Sequence, residues 1–224
     1  MTLDEMIACI NEVSAEMTSL HEEAPRNTLD PTADENKRFE GRLREFGHLI
    51  YFDTYENVNK TDIPANAKKV DMRWEERAKG DECRSRLVLR DYNKGHLDEM
   101  FAATPTSVGL QLLMIISSAL GLDAMVGDLD CGFMHAEPSE PIYAKPPPDA
   151  YLYDPEIKKD TWWRCKKALN GGRTALKDFN EWFGKQLEAI GFKRLRVDSQ
   201  MFVNPETGVF FHVHVDDPFA VGKK

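Results

Sequence analysis

The chain has few cysteines, and none of them form the close pairs on which zinc and redox sites depend. Its 224 residues contain Cys9, Cys83, Cys131 and Cys165, which are widely spaced and make no CxxC motif. Structural zinc sites and thioredoxin-like motifs need cysteines a few residues apart. We therefore expect reduced thiols that are mostly packed in the interior, and the sequence gives no support for zinc.

Long apolar runs are also lacking. The longest mainly apolar stretch, Val108–Leu122, includes Gln, Ser and Gly, and it is shorter than the roughly 20 residues of a membrane-spanning helix. The first residues, MTLDEMIACINE, carry acids where a secretory signal would carry bases. These absences predict an intracellular protein, cytoplasmic or nuclear, with no membrane partner.

Basic residues are scarce as well. The chain has 29 Lys and Arg against 38 Asp and Glu, which gives a net charge of −9. Residues 1–60 hold 13 acids and 6 bases, a charge of −7, so the remaining 25 acids and 23 bases leave −2. A protein that binds nucleic acid tightly by itself usually has a basic surface. The composition therefore argues against tight independent binding without excluding nucleic acid as a partner.

What the chain does contain is two acidic sites next to strand-like segments. Val209–Val221 is rich in β-branched and aromatic residues and is interrupted by Asp216, Asp217 and Pro218. This pattern predicts a strand, a tight turn that carries the acids, and a second strand that the proline is expected to weaken. Asp128 follows an apolar helical run and a short apolar segment. Because hard cations prefer oxygen ligands, we expect these three aspartates to share a pair of Mg²⁺ ions.

A second hairpin is predicted earlier in the chain. Strand-like runs at Lys68–Trp74 and Cys83–Tyr92 flank a turn at residues 79–82. The period of two puts three arginines on one face of the second strand, namely Arg84, Arg86 and Arg90. Guanidinium groups bind phosphate oxygens bidentately, so this face suits a triphosphate. The alternative is a solvated face whose arginines pair with Glu75 and Glu76.

The remaining segments predict helices that pack against antiparallel strands. Amphipathic patterns indicate two helices within residues 1–60 and another from Thr174 to Ile190. The apolar residues of Val108–Leu120 run almost all round a helix, so we expect that helix to be buried. Because regular βαβ units are absent, the fold class is α+β.

Several short motifs occur in the order found in one protein family. Asp128-Leu129-Asp130-Cys131-Gly132-Phe133-Met134 resembles D-V-x-x-A-F-L, and His214-Val215-Asp216-Asp217 resembles Y-V-D-D. Both are catalytic motifs of the reverse transcriptase of copia-type LTR retrotransposons. Further matches are Arg84–Arg90 with K/R-x-R-L-V-A-R, Phe101–Pro105 with T-F-A-P-V, Ile142–Pro147 with I-Y-M-x-x-P-P, Ala168–Gly171 with S-L-Y-G, and Ile190–Phe192 with L-G-F. No single match is decisive, but their shared order and spacing indicate common ancestry.

The resemblance implies a reverse-transcriptase-like fold of fingers and palm, with an antiparallel sheet packed on helices. Residues 1–60 would form an N-terminal helical extension, residues 61–105 the fingers hairpin region, and residues 106–224 the palm with Asp128 and the Val-Asp-Asp hairpin. The thumb, which follows that hairpin in the family, is expected to be missing.

The same resemblance assigns roles to individual residues. Asp128, Asp216 and Asp217 would be the catalytic carboxylates that bind Mg²⁺ or Mn²⁺. Phe133 would lie beneath the incoming sugar as a steric gate, and Arg84 or Arg86 would contact the triphosphate. The partners would be an RNA or DNA template–primer and a dNTP, and the sequence does not indicate the oligomeric state.

The chain also departs from the family pattern at several positions. Asn170 replaces a Tyr, Gly172-Arg173-Thr174 replaces L-K-Q, and His214 replaces the Tyr before Val-Asp-Asp. Together with the expected lack of a thumb, these changes predict RNA-directed DNA polymerase activity that is weak or absent in the chain alone. Two alternatives are a non-enzymatic remnant of the family and another two-metal phosphoryl-transfer enzyme, such as a nuclease.

Overall fold

The computed structural model describes residues 35–92, 107–158 and 160–223. The helix predicted near the start of the chain and the Phe101–Pro105 motif lie outside the described residues. Three α-helices are present in the described part: α1 (Glu35–Tyr51), α2 (Ser107–Leu120) and α3 (Ala175–Ala189). The first strands are β1 (Tyr55–Asn59), β2 (Lys68–Lys79), β3 (Glu82–Leu89), β4 (Asp123–Val126) and β5 (Ile142–Lys145). They are followed by β6 (Thr161–Cys165), β7 (Lys193–Arg194), β8 (Met201–Val203), β9 (Phe210–His214) and β10 (Asp217–Gly222).

The first sheet has five strands in the order β1-β6-β5-β2-β3. Its pairs are antiparallel except β2 and β5, which run parallel. Helix α1 covers β3 at very short range, because a Cβ added to Gly41 would stand 2.3 Å from the carbonyl oxygen of Cys83. The core beneath α1 contains the fully buried side chains of Phe46, Leu87 and Trp163. Burial of such large apolar side chains stabilises the layer by about 1.5–3 kcal/mol each.

The second sheet also has five strands, in the order β4-β10-β9-β8-β7, and all of its pairs are antiparallel. Helix α3 packs on it through Phe179, which is buried in one cluster with Phe202 and Val213. A short 3₁₀-helix, Gly132–His135, packs against α3. The mixed α+β class and the antiparallel sheets packed with helices are therefore as predicted.

The strands of the first sheet come from all three regions that the resemblance suggested. Strand β1 lies within residues 1–60, β2 and β3 lie within residues 61–105, and β5 and β6 follow residue 106. Residues 1–60 are thus not only helical, because β1 pairs with β6 over Tyr55–Asn59. The region boundaries themselves stay a prediction.

Helix α2 is less buried than its composition predicts. Leu113 is fully buried against Met201 and Val221, but Val108 is 68% exposed and Leu120 is 69% exposed. The expectation of a buried helix is wrong for the part of the chain that the structure describes, because the second sheet covers one side of α2 only. None of the helices in the described ranges is long and apolar enough to cross a membrane.

Pro218 does not interrupt the C-terminal hairpin. Strand β10 pairs with β9 over Asp217–Val221 and with β4 over Phe219–Gly222. The carbonyl oxygen of Pro218 accepts a hydrogen bond of 2.9 Å from the backbone N–H of Gly127, one residue beyond the end of β4. Proline has no backbone N–H to donate. Because Pro218 lies at the end of the pairing between β4 and β10, the sheet loses at most one hydrogen bond there. The expectation of a weakened second strand is wrong for this reason.

Candidate functional site

A cavity of about 480 Å³ opens between the β2–β3 hairpin, helix α1, the segment after β4 and the β9–β10 turn. Five residues singled out from the sequence line it, namely Arg84, Arg86, Asp128, Phe133 and Asp216. Asp217 does not line this cavity. Groups from distant parts of the chain therefore meet in one concave site, which is the usual form of a small-molecule site.

The turn of the C-terminal hairpin carries Asp216 as its second residue. Asp217 pairs with His214, so Val215 and Asp216 alone connect β9 and β10. Val215 has a φ of +54°, a conformation that costs a β-branched residue of order 1–3 kcal/mol. The predicted tight turn is present, but of the two acids it carries only Asp216, because Asp217 is the first residue of β10. The turn holds the half-buried Asp216 at the cavity wall.

Asp128 lies opposite Asp217 in the backbone register. Strands β4 and β10 pair Val126 with Phe219, and the chain beyond β4 continues alongside the turn. Gly127 donates its N–H to the carbonyl of Pro218 at 2.9 Å, and the N–H of Leu129 donates to the carbonyl of Asp216 at 2.8 Å. The residues between these two bonds, Asp128 and Asp217, form a non-hydrogen-bonded pair, the type in which opposite side chains lie closest.

The three aspartates do not form a compact set of ligands as they stand. A metal site needs at least three ligand atoms close together. Among the described residues, one group of His, Cys, Asp and Glu side chains has its ligand atoms within 4.8 Å of one another, and it consists of His48, Asp130 and Cys131. Asp128 and Asp216 share the cavity wall, and Asp128 and Asp217 share the register position described above. The convergence of the three carboxylates on shared metal ions stays a prediction.

Arg84 and Arg86 project from β3 at alternate positions, and both line the cavity. The acids expected to neutralise them are engaged elsewhere. Glu75 pairs with Arg73, and the buried Glu76 binds Arg42 of helix α1 at 2.8 Å. The pairing of Arg84 and Arg86 with Glu75 and Glu76 is therefore not seen, although Arg84 itself is exposed to solvent.

The third arginine of that face, Arg90, does not reach the cavity. It lies just beyond β3, where its Nε donates to the hydroxyl of Tyr92 at 3.4 Å. The phenol hydrogen bond raises the pKa of the Arg90 guanidinium. The period of two places Arg84 and Arg86 at one cavity, but it does not continue past the end of the strand.

Phe133 is held by the 3₁₀-helix that follows the first acidic motif. Its ring meets Phe179 of α3 edge to face, with the ring centroids 6.0 Å apart. The preceding Gly132 is buried against Asp216, because a Cβ added to Gly132 would stand 3.3 Å from the Cβ of Asp216. The two acidic motifs are therefore in direct contact through Gly132.

Glu45 is a cavity residue that sequence reasoning missed. It lies on α1, is 7% exposed, and its Oε1 accepts a hydrogen bond of 3.0 Å from the N–H of Leu87. Burial raises the pKa of the Glu45 carboxyl. The hydrogen bond from Leu87, and after it the charges of Arg86 and Arg84, oppose that shift only in part. An acid on the apolar side of a helix, next to Phe46 and Leu49, was the signal available in the sequence.

The group formed by His48, Asp130 and Cys131 was missed as well, and it lies on the wall of the same cavity. The thiol of Cys131 contacts the Oδ1 of Asp130 at 3.6 Å. Burial, followed by the charge of Asp130, raises the pKa of the Cys131 thiol to about 12. His48 and Cys131 are 83 positions apart in the sequence, so no local spacing could have indicated the group.

Comparison with known proteins gives one family. A family model described as reverse transcriptase (RNA-dependent DNA polymerase) matches residues 52–224. The matched range includes both hairpins, the segment after β4 and the whole of the second sheet. No curated protein sequence matches the chain.

Proposed function

Because the chain belongs to the reverse transcriptase (RNA-dependent DNA polymerase) family, we propose that it is the fingers and palm of a copia-type retrotransposon polymerase. The proposed reaction is attack of a primer 3′-hydroxyl on the α-phosphate of a dNTP, directed by an RNA or DNA template. Residues 61–105 would form the fingers hairpin region and residues 106–224 the palm, with residues 1–60 as an extension. The motif order along the chain supports the copia-type assignment.

One observation carries the proposal: Arg84 and Arg86 face the same cavity as Asp128 and Asp216. Two guanidinium groups on one side suit the β- and γ-phosphates of a nucleotide, which they bind bidentately. Carboxylates on the other side suit the divalent ions that accompany those phosphates. A cavity lined only by basic or only by acidic side chains would bind either the phosphates or the metal ions, but not both.

The donor chemistry of the three aspartates fits Mg²⁺ or Mn²⁺. Asp128, Asp216 and Asp217 offer carboxylate oxygens only, the ligands that hard cations prefer. Two of these acids, Asp128 and Asp217, lie opposite each other across the backbone ladder, where like charges are destabilising unless a cation intervenes. When bound, a metal pair would lower the pKa of the attacking hydroxyl and stabilise the leaving pyrophosphate.

The remaining site residues position the substrate. Arg84 and Arg86 would bind and orient the triphosphate. Phe133, fixed by its edge contact with Phe179, would lie beneath the sugar and exclude a 2′-hydroxyl. The strained turn at Val215 would hold Asp216 at the cavity wall before any ligand arrives, so the site would lose little entropy on binding.

A second candidate is a remnant of the family that binds a nucleotide but does not extend a primer. The position of Asp217 outside the cavity favours it, as does the exchange of the family's Tyr for His214. A remnant would retain the phosphate-binding arginines and lose the arrangement of acids that the transfer needs.

Primer extension on poly(rA)/oligo(dT) with Mg²⁺ or Mn²⁺ tests the polymerase directly. We expect slow extension by the wild type and none by Asp128→Asn or Asp216→Asn. Binding of dTTP in the presence of Mg²⁺ should be measured on the same samples. Binding without extension above the level of the aspartate variants would identify the remnant, and absence of both would refute the proposed site.

A further inference from the structure

We propose that His48, Asp130 and Cys131 form a second metal site, selective for a thiophilic divalent cation of the Zn²⁺ class and separate from the three aspartates. One ligand atom from each of these residues lies within 4.8 Å of the other two. His48 comes from helix α1, whereas Asp130 and Cys131 come from the turn after β4. The site therefore connects helix α1, which packs on the first sheet, to the segment that follows β4.

The ligand types select the metal. An imidazole nitrogen, a thiolate sulfur and a carboxylate oxygen together suit Zn²⁺, which accepts all three in tetrahedral sites. Mg²⁺ prefers oxygen ligands and bonds poorly to sulfur. In a solution that contains both ions, we therefore expect Asp128, Asp216 and Asp217 to bind Mg²⁺, and His48, Asp130 and Cys131 to bind Zn²⁺.

The distances require only a small contraction. In a tetrahedral Zn²⁺ site with bonds of about 2.0–2.3 Å, neighbouring donor atoms lie about 3.3–3.6 Å apart. The Cys131 sulfur and an Asp130 oxygen are already 3.6 Å apart, and a ring nitrogen of His48 lies within 4.8 Å of a ligand atom of each. Its imidazole can approach by a side-chain rotation, since the ring is half-buried at the cavity wall.

The backbone that presents two of the ligands is fixed by hydrogen bonds. The carbonyl oxygen of Cys131 accepts a bond of 2.8 Å from the N–H of Met134, and the carbonyl oxygen of Asp130 lies 3.2 Å from the Nε2 of His135. The ring of His135 in turn stacks on Trp182 of α3, with centroids 4.9 Å apart. A site whose ligands are held before binding loses less entropy when the ion arrives.

Binding exchanges a proton for the metal. Cysteine binds a metal as its thiolate, so the S–H bond breaks as the sulfur–metal bond forms, and the proton is released to solvent. The three side chains leave the fourth tetrahedral position for a water molecule on the cavity side. This arrangement of three protein ligands and one open position is the form of zinc sites that exchange a ligand.

Titration of the whole 224-residue chain with Co²⁺ tests the site, because Co²⁺ replaces Zn²⁺ and reports its ligands optically. We expect a near-ultraviolet thiolate-to-cobalt band and the intense visible bands of a tetrahedral site. One equivalent of Zn²⁺ should abolish both, and a large excess of Mg²⁺ should not. His48→Ala and Cys131→Ser should weaken Co²⁺ binding by roughly 100-fold or more, since loss of even an outer-shell partner costs about 10–100-fold.

Matched controls separate this site from the others. Cys83→Ala removes a thiol that lines the same cavity but lies outside the group of three, and it should keep the cobalt bands. Asp128→Asn should keep them too, whether or not the protein is a polymerase. Circular dichroism and thermal unfolding confirm that each variant is folded. Absence of a thiolate band in the wild type, or a band that survives both His48→Ala and Cys131→Ser, would overturn the proposal.

Discussion

Gly132 packs so closely against Asp216 that a Cβ added at Gly132 would stand 3.3 Å from the Cβ of the aspartate. The same Cβ would lie 3.4 Å from the ring of Phe179. Through these contacts, Gly132 links the segment that contains Asp128 to the turn that carries Asp216, so its size affects where Asp216 lies. A side chain of increasing size at this position should therefore move Asp216 away from the cavity.

The first prediction is a size series at this glycine. Gly132→Ala should cost less than about 1 kcal/mol of unfolding free energy and leave Mg²⁺-dependent dTTP binding within about threefold, since the neighbours need to yield by only a few tenths of an ångström. Gly132→Val should cost about 1–3 kcal/mol and weaken dTTP binding strongly. Urea unfolding and calorimetric titration measure the two effects. Equal dTTP binding by both variants would show that the contact does not position Asp216.

The second prediction separates two arginines of one sequence pattern. Arg86 lines the cavity, whereas Arg90 binds the hydroxyl of Tyr92 outside it. Arg86→Ala should weaken dTTP binding roughly 10- to 100-fold, the size of a lost charge-assisted hydrogen bond of about 1.5–3 kcal/mol. Arg90→Ala should change it by less than about twofold. An equal loss from both variants would mean that the arginines act through the overall charge and not through contact.

How far the sequence predicted this structure depends on whether a feature is local. The turn at residues 79–82 and the Val215–Asp216 turn follow from a few adjacent residues, and both are present. The pairing of β1 with β6 joins Tyr55 to Cys165, and no periodicity in either segment indicates its partner. The parallel pair of β2 and β5 was missed for the same reason.

The residues of the candidate site also fall into two groups, those that a local motif predicts and those that only the packing of distant segments brings to the cavity. The order of family motifs identified Asp128, Phe133 and Asp216 because each lies in a recognisable short segment. Glu45 and His48 belong to the same cavity but lie on a helix about 80 residues earlier in the chain. Their role depends on how α1 docks on β3, which the close approach at Gly41 determines. Packing of this kind is fixed by shape complementarity between distant segments and leaves no local pattern.

The third prediction concerns the opposed acids of the backbone ladder. Asp128→Asn removes one of two like charges that face each other across the ladder, so in EDTA it should stabilise the fold by about 0.2–1 kcal/mol. In saturating Mg²⁺ the wild type should become more stable than Asp128→Asn, because the variant has lost one of the carboxylates that bind the ion. The control is Asp123→Asn on the same edge, where the opposite residue is Gly222, and it should respond equally in both conditions. Identical urea midpoints for wild type and Asp128→Asn in EDTA would contradict the opposition of charges.

The fourth prediction is a pH dependence that comes from Glu45. Burial raises its folded-state pKa above the ordinary value of 4.5, so the folded protein keeps a proton that the unfolded chain has already released. The unfolded state therefore binds fewer protons in this window, and the free energy of unfolding must fall as pH rises from about 4.5 through the raised pKa. Below pH 4.5 the carboxyl is protonated in both states and contributes no such loss.

Glu45→Gln removes this titration and keeps an oxygen that can accept the N–H of Leu87. The variant should match the wild type near pH 4 and become the more stable of the two as pH rises to 7. Urea unfolding at intervals between these values gives the comparison, with Glu40→Gln at an exposed position of the same helix as the control. If the difference between Glu45→Gln and wild type is constant across the range, the buried carboxyl is already ionised in the folded protein, and its charge is stabilised by Arg84 and Arg86 more fully than its burial indicates.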